Sequence, residues 1–486
     1  MNVLFVYSAH EIFSPERPLQ TPKETHFGIS CISALLKAHG HSTKLVVLSR
    51  LFGRKNRTRL DDAIKTFSPE VICFTSVSSE YPFIAKMADY AKERYPGIFL
   101  VIGGAHASLN PDEVIRDNFD ALCVGEGEHP VLELVSQLEK GMAPASIPNL
   151  WIKRGNAVEK NAPRPFQDLD ELPFADREIW RGLIEDERVQ ESVAMGRGCP
   201  FECTYCSNHA FRKLAKGTYV RFRSPDNIAA EIKSIIAAYP EKRDFYLEVE
   251  TVGVNKAWAL ELASRLEELN RTLKEPLSFG VNLRITPNME LDDLFTAFRR
   301  SNFKFLNIGL ESGSERVRRD ILKRHYSNDD VSKAVSLARK YGFRVNLYNL
   351  VGIPGETPDD FKETVRMNRL CQPDKTATSI FYPYPGTELY SVCRERGLLR
   401  ETKNALERCE ATLDLPEFPK RDIQRSFIWF DYNVYKGHKP LSKILSKVLV
   451  DKLRSNSHLH YLYRKLTYSG LLRRLKDAMR RRIQIK

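Results

Sequence analysis

Short apolar runs alternate with longer amphipathic stretches along residues 1–140. The runs have the length of buried strands, whereas the stretches between them repeat their apolar positions with the period of a helix. This order predicts a parallel sheet with helices on both faces, which is a doubly wound, Rossmann-like α/β domain. The predicted strands cover residues 3–7, 44–48, 71–76, 98–102 and 121–124, and helical patterns such as 29–38 and 83–94 lie between them.

The same alternation occurs six more times within residues 191–390. Ser224 and Pro225 mark one helix start, because serine is a good N-cap and proline suits the first helical position. Six strand–helix units predict a partial (β/α)6 TIM-like barrel, whose chemistry belongs at the carboxyl ends of its strands. These strands are predicted at residues 192–195, 245–250, 277–283, 305–310, 343–351 and 378–382.

The other two segments differ in character. Residues 141–190 are rich in proline and loop residues and show little periodicity, which predicts a connector. Residues 391–486 are predicted to form a helical, basic C-terminal region. One apolar stripe there predicts an amphipathic helix, and its members are Leu441, Ile444, Leu445, Val448, Leu449 and Leu453.

Small and polar residues follow three strands of the first series. These loops read TSVSS at residues 75–79, GGAHAS at 103–108 and GEGE at 125–128. Ligands of wound α/β domains bind outside the carboxyl ends of the strands, and paired glycines let a backbone approach a ligand closely. Tight strand–helix turns would use the same glycines, so the pattern leaves both interpretations open.

The chain has nine cysteines, and three of them, Cys199, Cys203 and Cys206, lie within eight residues. An odd total in a long chain argues against a disulfide framework. The first residues lack a basic n-region and read as a strand, and no stretch approaches the ~18 uncharged apolar residues of a membrane span. We therefore predict a cytoplasmic protein with reduced thiols.

The clustered cysteines follow the first strand of the predicted barrel. Thiolates are the usual ligands of iron–sulfur clusters, and cysteines two or three residues apart in a loop can converge on one cluster. Three of them would leave one iron of a four-iron cluster open. A structural zinc is the rival interpretation, with His209 as a fourth ligand.

The segment Cys199-Pro-Phe-Glu-Cys203-Thr-Tyr-Cys206 resembles the cluster motif of the radical S-adenosylmethionine (SAM) enzymes. The resemblance implies that the three cysteines bind a [4Fe–4S] cluster whose open iron takes SAM. It also places the aromatic Tyr205 near the adenine of SAM.

Later stretches resemble the same family's barrel. In GLESGS, at residues 309–314, Glu311 and Ser312 would approach SAM, although Glu311 could also be a helix-start acid. In NLVGIPGET, at 349–357, Gly352 and Gly355 would approach the adenine. FYLEVE at 245–250 departs from the Gly-Gly-Glu usual in the family. Asn282 and Arg284, which end the third strand, could meet the SAM carboxylate or face solvent.

A wound α/β domain before such a barrel resembles the cobalamin-binding branch of the radical SAM family, over roughly residues 1–390. The resemblance implies that the corrin lies on the carboxyl ends of the first sheet and faces the cluster. The matching cofactor-binding residues are Ser76, Ser78, Gly103, Gly104, Ser108, Gly125, Glu126 and Gly127.

Many cobalamin proteins carry an axial histidine in D-x-H-x-x-G. The nearest candidate is His26 in Glu24-x-His26, which has Ile29 at the glycine position. A lone loop histidine is more often a hydrogen-bonding residue than a metal ligand. We therefore predict no protein imidazole on cobalt, and a domain that has lost cobalamin remains an alternative.

The resemblance implies a cobalamin-dependent radical SAM methyltransferase that acts on an unactivated carbon of a small-molecule or lipid-like substrate. It also implies an electron donor such as flavodoxin or ferredoxin. One alternative is a cobalamin-assisted cyclase or oxidase without methyl transfer. Another is a zinc- or SAM-binding protein without catalysis.

The net charge of +13 resides in one part of the chain. Residues 436–486 hold 15 Lys or Arg and two Asp, so that the remainder is neutral. Such a basic amphipathic segment could dock on the barrel or contact an anionic membrane surface. No Lys/Arg–aromatic arrangement singles out nucleic acid.

Overall fold

The computed structural model describes residues 1–10, 12, 14, 16–186, 190–399, 406–456, 459, 460 and 463. Its N-terminal sheet has the strand order β2-β1-β3-β4-β5-β6-β7. The first five strands in chain order are parallel, as predicted, and their bounds are β1 (Asn2–Ser8), β2 (Ser42–Leu48), β3 (Val71–Thr75), β4 (Phe99–Gly103) and β5 (Ala121–Cys123). Helices cover both faces: α1 (Phe27–Ala38), α2 (Lys55–Phe67), α3 (Tyr81–Arg94), α4 (Ala105–Leu109), α5 (Pro111–Val114) and α6 (Glu128–Glu139).

The predicted connector contributes an antiparallel hairpin to this sheet. Strands β6 (Leu150–Arg154) and β7 (Ala157–Lys160) continue the sheet beyond β5. Their turn is formed by Gly155 and Asn156, and Gly155 has a φ of 60°. A Gly-Asn pair between two short runs is a hairpin signal. Proline-rich residues lie on both sides of the hairpin, and for this reason the pattern of apolar positions did not predict its two strands.

The second sheet is a row of six parallel strands in the order β15-β14-β13-β12-β11-β8. It begins with β8 (Glu191–Ala194), and the small strands β9 (Gly196–Arg197) and β10 (Arg221–Phe222) form a separate antiparallel pair beside it. The others are β11 (Asp244–Glu248), β12 (Ser278–Leu283), β13 (Phe303–Glu311), β14 (Arg344–Val351) and β15 (Lys375–Ile380). The first and last strands of this row, β8 and β15, do not pair with each other in the described structure, so the barrel is partial, as predicted.

Helices follow the barrel strands: α7 (Asn208–Arg212), α8 (Pro225–Ala238), α9 (Lys256–Arg271), α10 (Asp292–Arg300), α11 (Asn328–Lys340), α12 (Pro358–Cys371) and α13 (Glu388–Glu395). Ser224 caps α8 as predicted, because its hydroxyl accepts from the Asn227 amide. Ser327 and Thr357 begin α11 and α12 with capping boxes. These caps satisfy amides that a helix start leaves without partners.

Strand residues alternate between the helix layer and the barrel interior. Phe245 and Leu247 are buried against helices, whereas Tyr246 between them points inward. Gly280 leaves room for the Phe305 ring, because a Cβ at Gly280 would lie 2.0 Å from that ring. The interior is therefore shaped by a few aromatic and polar side chains.

A segment of the N-terminal domain lies against the open side of the barrel. Leu19 forms a bridge with Ile184, and the 3-10 helix Pro22–Glu24 contacts β8. Lys23 reaches the interior, where its Nζ lies 4.7 Å from the centroid of the Tyr246 ring. The two domains thus meet along this segment.

The C-terminal region packs on the barrel through α14 (Lys420–Ile428), α15 (Phe430–Tyr435) and α16 (Leu441–Arg454). Ile444 and Val448 of the predicted stripe are buried, which shows that α16 docks on the rest of the protein. The basic residues beyond position 463 lie outside the described residues. Within the described ranges, every helix is too short or too polar to cross a membrane.

Candidate functional site

The cysteine loop begins directly after β9 and lies between the two strands of the short β9–β10 pair. Gly198, with a φ of 88°, brings the chain against Tyr219, where a Cβ would lie 2.3 Å from the carbonyl oxygen. Only glycine fits there without a shift of the backbone. The loop then buries Cys203, leaves Cys199 and Cys206 half-buried, and closes with the Cys206 amide donating to the Cys203 carbonyl at 3.0 Å.

Two guanidinium groups face the sulfur of Cys203. Arg284 Nη1 lies 2.8 Å from Cys203 Sγ, and Arg324 Nη1 lies 4.0 Å from it. Arg284 is held in place by the Phe201 ring, whose centroid is 3.6 Å from the guanidinium carbon. Cationic donors of this kind stabilise a thiolate and the negative charge of anything bound to it.

Cys199 and Cys206 hold their protons more tightly than free thiols do, and a bound metal would displace these protons. Burial raises the pKa of Cys199, and it raises the pKa of Cys206 to about 11. Among the described residues, no three His, Cys, Asp or Glu side chains converge on one point as a single metal ion requires. A four-iron cluster takes each thiolate on a different iron and so accepts wider spacing. The donor set of three thiols in one loop fits the cluster.

Tyr205 and Glu311, both predicted to approach SAM, share one buried partner. Arg324 Nη1 donates to the Tyr205 hydroxyl at 3.1 Å and lies 3.3 Å from Glu311 Oε1. Burial, reinforced by the charge of Glu311, raises the pKa of Tyr205 well above its ordinary value. Sequence reasoning missed Arg324, which has no recognisable spacing from the cysteine loop.

Glu311 stands in a strained position at the end of β13. Its φ is 60°, and the register between β13 and β14 shifts between Gly309 and Glu311. A non-glycine residue keeps this conformation only where its surroundings enforce it, and such residues cluster at functional sites. The shift aims the carboxylate at Arg324.

The other barrel residues that were predicted to approach SAM lie in two ordered turns. Ser312 is fully buried, and its Oγ accepts from the Ser314 amide at 3.2 Å. Gly352 and Gly355 have φ values of 79° and 86°. The Gly352 amide donates to Glu356 Oε2 at 2.7 Å, while burial raises the pKa of Glu356 to about 8. Ser312 thus holds a turn, and the two glycines shape the loop that would approach the adenine.

Three asparagines form a row inside the barrel. Asn282, Asn307 and Asn346 are neighbours in register on β12, β13 and β14. Asn346 Nδ2 donates to Asn307 Oδ1 at 2.8 Å, and Asn307 Nδ2 donates to Asn282 Oδ1 at 3.1 Å. Tyr246 also donates to Asn282 Oδ1, at 2.6 Å. The row offers amide donors and acceptors to a polar molecule in the barrel.

The predicted N-terminal loops open into a cavity of about 340 Å³. Six predicted residues line it: Gly103, Gly104, Ser108, Gly125, Glu126 and Gly127. Gly198 and Tyr219, from the segment around the cysteine loop, form part of its opposite wall. The cavity therefore joins the carboxyl ends of the first sheet to the entrance of the cysteine loop.

Glycine backbone and buried polar atoms lie at and near the wall of this cavity. Gly104, with a φ of 95°, lets the chain pass so closely that a Cβ would lie 2.6 Å from Thr75 Oγ1. Ser76, which was predicted to bind the cofactor, and His106 do not line the cavity, but Ser76 Oγ and His106 Nε2 are buried near it and have no hydrogen-bond partner among the described residues. Buried polar atoms without partners are rare in native proteins and often mark the place of an absent ligand or water.

The histidines near the cavity are engaged in local contacts. His26 Nδ1 accepts from the Ile29 amide at the start of α1, and the ring lines the cavity. His106 Nδ1 lies 3.2 Å from the hydroxyl of Ser78, which does not line the cavity. Burial lowers the pKa of His106 to about 4. Both rings are therefore held by hydrogen bonds within the N-terminal domain.

The GEGE loop also joins the two domains by ion pairs. Arg197 Nη1 lies 3.0 Å from Glu126 Oε1, and Arg197 Nη2 lies 2.5 Å from Glu128 Oε1. Arg221 Nη2 lies 2.5 Å from Glu126 Oε1. Arg197 precedes Cys199 by two residues, so these pairs position the cysteine loop relative to the cavity. Glu126 contributes a structural link as well as a wall of the cavity.

We expect Glu126→Gln to lower the free energy of unfolding at neutral pH by ~1–2 kcal/mol, since the charge-assisted hydrogen bonds from Arg197 and Arg221 are weakened. Burial raises the pKa of Glu126, but hydrogen bonds and charges from Arg221 and Arg197 outweigh it, and the pKa lies below its usual range. Such a carboxylate stabilises the fold above its unfolded pKa of about 4.3, and this stabilisation is lost as the pH falls through the folded pKa.

Denaturant titrations of both proteins between neutral and acidic pH measure this effect. The difference in the free energy of unfolding between the wild type and Glu126→Gln should have its largest value at neutral pH and become smaller below about pH 4. Glu133→Gln is a matched control, because Glu133 pairs with Arg164 of the connector rather than with an arginine of the barrel and is 44% exposed. A difference that does not change with pH would contradict the role assigned to the Glu126 charge.

Two known families match separate segments of the chain. The description of the Radical SAM superfamily matches residues 193–367, and that of the B12 binding domain matches residues 22–135. An uncharacterised methyltransferase of Pyrococcus horikoshii is 28% identical over 344 residues, which are 69% of this chain and 72% of that protein. The anaerobic magnesium-protoporphyrin IX monomethyl ester cyclase of Rubrivivax gelatinosus is 24% identical over 405 residues, 80% of this chain and 69% of its own length.

Solved structures share the complete architecture. TsrM from Kitasatospora setae, a radical SAM methyltransferase with tryptophan substrate and a SAM analogue bound, aligns with a TM-score of 0.66 at 15% identity over 98% of this chain and 99% of its own. OxsB, a cobalamin-dependent SAM radical enzyme, aligns in its apo form with a TM-score of 0.69 at 13% identity over 99% of this chain and 81% of its own. The order of a wound domain followed by a partial barrel is therefore common to all three.

Proposed function

Since the chain belongs to the cobalamin-binding branch of the radical SAM superfamily, we propose that it is a methyltransferase that acts on an unactivated carbon of a small-molecule or lipid-like substrate. The observation that carries the proposal is the cavity shared by the two domains. Its walls come from the GGAHAS and GEGE loops on one side and from the segment around the cysteine loop on the other. A cofactor in this cavity would face the cysteine loop directly.

The cofactors of the branch are a [4Fe–4S] cluster, SAM and cobalamin. When bound, they supply reductive formation of an adenosyl radical and a transferable methyl group, while the protein supplies binding, orientation and electrostatics. Cys199, Cys203 and Cys206 would hold the cluster. We also propose a one-electron donor of the flavodoxin or ferredoxin kind for this cluster.

Arg324 and its partners would orient SAM. Arg324 joins Tyr205 to Glu311, so that the phenol ring and the carboxylate keep a fixed relation to the cysteine loop. Because Arg324 is almost fully buried, this arrangement costs little reorganisation during turnover. The positive φ of Gly352 and Gly355 would let the backbone approach the adenine ring.

The substrate would lie in the barrel interior, below the cysteine loop. The row of Asn282, Asn307 and Asn346 forms a polar wall there, and Lys23 contributes an ammonium group beside Tyr246. Such a wall would fix a polar group of the substrate by hydrogen bonds and leave an apolar carbon to face SAM. The segment that carries Lys23 would shield the reaction from water on the open side of the barrel.

A cobalamin-assisted cyclase is the second candidate function. It is favoured by the Rubrivivax gelatinosus relative, which is named a cyclase and matches 80% of this chain. Methyl transfer is favoured by the Pyrococcus horikoshii relative and by the TsrM fold, both named methyltransferases. The two candidates differ in their products, because only a methyltransferase converts SAM to S-adenosylhomocysteine.

An anaerobic assay of the reconstituted enzyme separates these candidates. The enzyme, a reductant and SAM with a trideuterated methyl group are incubated with the aqueous and the organic fractions of a cell extract. Mass spectrometry then searches for the label in new products. A methyltransferase is expected to give a labelled product together with S-adenosylhomocysteine and 5′-deoxyadenosine.

A variant that fills the cavity tests whether methyl transfer depends on a cofactor bound there. Ala105 lines the cavity, and Ala105→Trp is expected to exclude cobalamin while the cysteine loop keeps its iron. Ala157→Trp on the exposed surface of β7 is the matched control. Methyl transfer should fail only in Ala105→Trp. Formation of 5′-deoxyadenosine with an unlabelled product and no S-adenosylhomocysteine would instead support the cyclase and contradict methyl transfer.

A further inference from the structure

Helix α16 is buried along one edge and carries apolar side chains on its outer surface. Ile444 and Val448 are 3% and 7% exposed and attach the helix to the protein. Leu441, Leu445 and Leu449 are 55%, 44% and 58% exposed. Since these three leucines are four residues apart, they form one stripe along the outside of the helix. Packing of the helix therefore accounts for only part of its apolar surface.

An exposed tryptophan lies beside this helix. Trp429 follows α14 and is 41% exposed. It shares a surface groove with Val448 and Lys452 of α16. Tryptophan is enriched where an apolar phase meets water, because its ring is apolar and its N–H is polar. We name Trp429 and the three exposed leucines the apolar ridge.

Positive charge lies on the helix that carries the ridge and just before it. Lys443, Lys447 and Lys452 are exposed on α16, where Lys447 also pairs with Asp451, and Lys436 is exposed just before the helix. Residues 436–486 together carry 15 Lys or Arg against two Asp, whereas the rest of the chain is neutral. An apolar surface within a cationic segment is complementary to the anionic headgroups and acyl chains of a bilayer surface.

We propose that the apolar ridge and the lysines of α16 bind the protein peripherally to anionic phospholipid membranes. The leucines and Trp429 would enter the boundary between headgroups and acyl chains, and the lysines would lie among the headgroups. Nucleic acid would use the same charges, but it offers no place for three exposed leucines. The inference is independent of which reaction the barrel catalyses.

Vesicle flotation with the full-length holoenzyme tests the proposal. Vesicles of phosphatidylcholine alone are compared with vesicles that also contain phosphatidylserine, at low and high salt. We expect binding to the anionic vesicles only, weakened by salt, and a blue shift of tryptophan emission that is smaller in Trp429→Phe. Substitution of Leu441, Leu445 and Leu449 by serine should weaken binding at least about tenfold, since each leucine would lose its burial.

Leu370→Ser is the matched control, because Leu370 is 65% exposed on α12, outside the ridge, and should leave binding unchanged. Thermal unfolding and iron content confirm that the variants are folded. Equal vesicle binding by the triple variant would overturn the proposal and leave only a diffuse charge effect. Absence of binding would overturn it as well, and a triple variant that changes from dimer to monomer would instead assign the ridge to a second copy.

Discussion

Cys203→Ser is expected to purify with little iron and no sulfide and to form no 5′-deoxyadenosine from SAM under reducing conditions. Cys203 is the buried member of the three, and it is the sulfur that Arg284 and Arg324 face. A serine hydroxyl is a poor replacement for a thiolate on iron, and two cysteines are too few to retain the cluster. Iron and sulfide analysis, an ultraviolet–visible spectrum and chromatography of the nucleoside products measure the result.

Cys409→Ser provides the control for this variant. Cys409 lies in the C-terminal region, far along the chain from the cysteine loop, and is half-buried like Cys199 and Cys206. Its replacement should leave the iron content and the nucleoside product unchanged. Wild-type protein that contains zinc without sulfide would contradict the cluster assignment and return the loop to a structural zinc site.

The sequence predicted the two sheets well because buried parallel strands are continuous apolar runs. The runs at 71–76 and 343–351, for example, correspond to the observed β3 and β14 within a residue. Turn residues predicted the structure less well than these apolar runs did. The hairpin at β6 and β7 depends on Gly155 and Asn156, and its short strands alternate too briefly to stand out between prolines.

The site could be predicted where its residues lie close together in the sequence. The three cysteines share one loop, and their spacing alone indicates a cluster. Contacts between distant residues could not be read in this way. Arg197 and Glu126 are separated by 71 residues, and the asparagine row depends on the register of three strands. Only the fold shows that the GEGE loop serves the domain junction as well as the cavity.

The same limit explains why Arg284 had two open interpretations. At the end of β12 it could have met SAM or faced solvent, and the structure places its guanidinium against a thiol. The stacked Phe201 ring and the Cys203 sulfur hold it from two sides. An arginine in this position would stabilise the negative charge of a cluster held by Cys203, whether or not SAM is bound.

Arg284→Met is therefore expected to lower the reduction potential of the cluster in the absence of SAM. Reduction adds negative charge, which the guanidinium stabilises through its hydrogen bond to Cys203 Sγ at 2.8 Å. A charge-assisted hydrogen bond contributes about 1.5–3 kcal/mol. Its loss should disfavour reduction about tenfold or more, and tenfold corresponds to about 59 mV for one electron. A redox titration followed by electron paramagnetic resonance measures the shift.

Two further variants test whether the change in reduction potential is caused by the loss of the charge at Arg284. Arg284→Lys keeps the charge and should recover most of the potential, although a lysine cannot reproduce the planar stacking on Phe201. Arg344→Met, at the exposed amino end of β14, removes the same charge from the same sheet and should leave the potential unchanged. An unchanged potential in Arg284→Met, together with weaker SAM binding, would contradict the role assigned here. Arg284 would then be a ligand of the SAM carboxylate, and its contact with Cys203 would have no bearing on the ease of reduction.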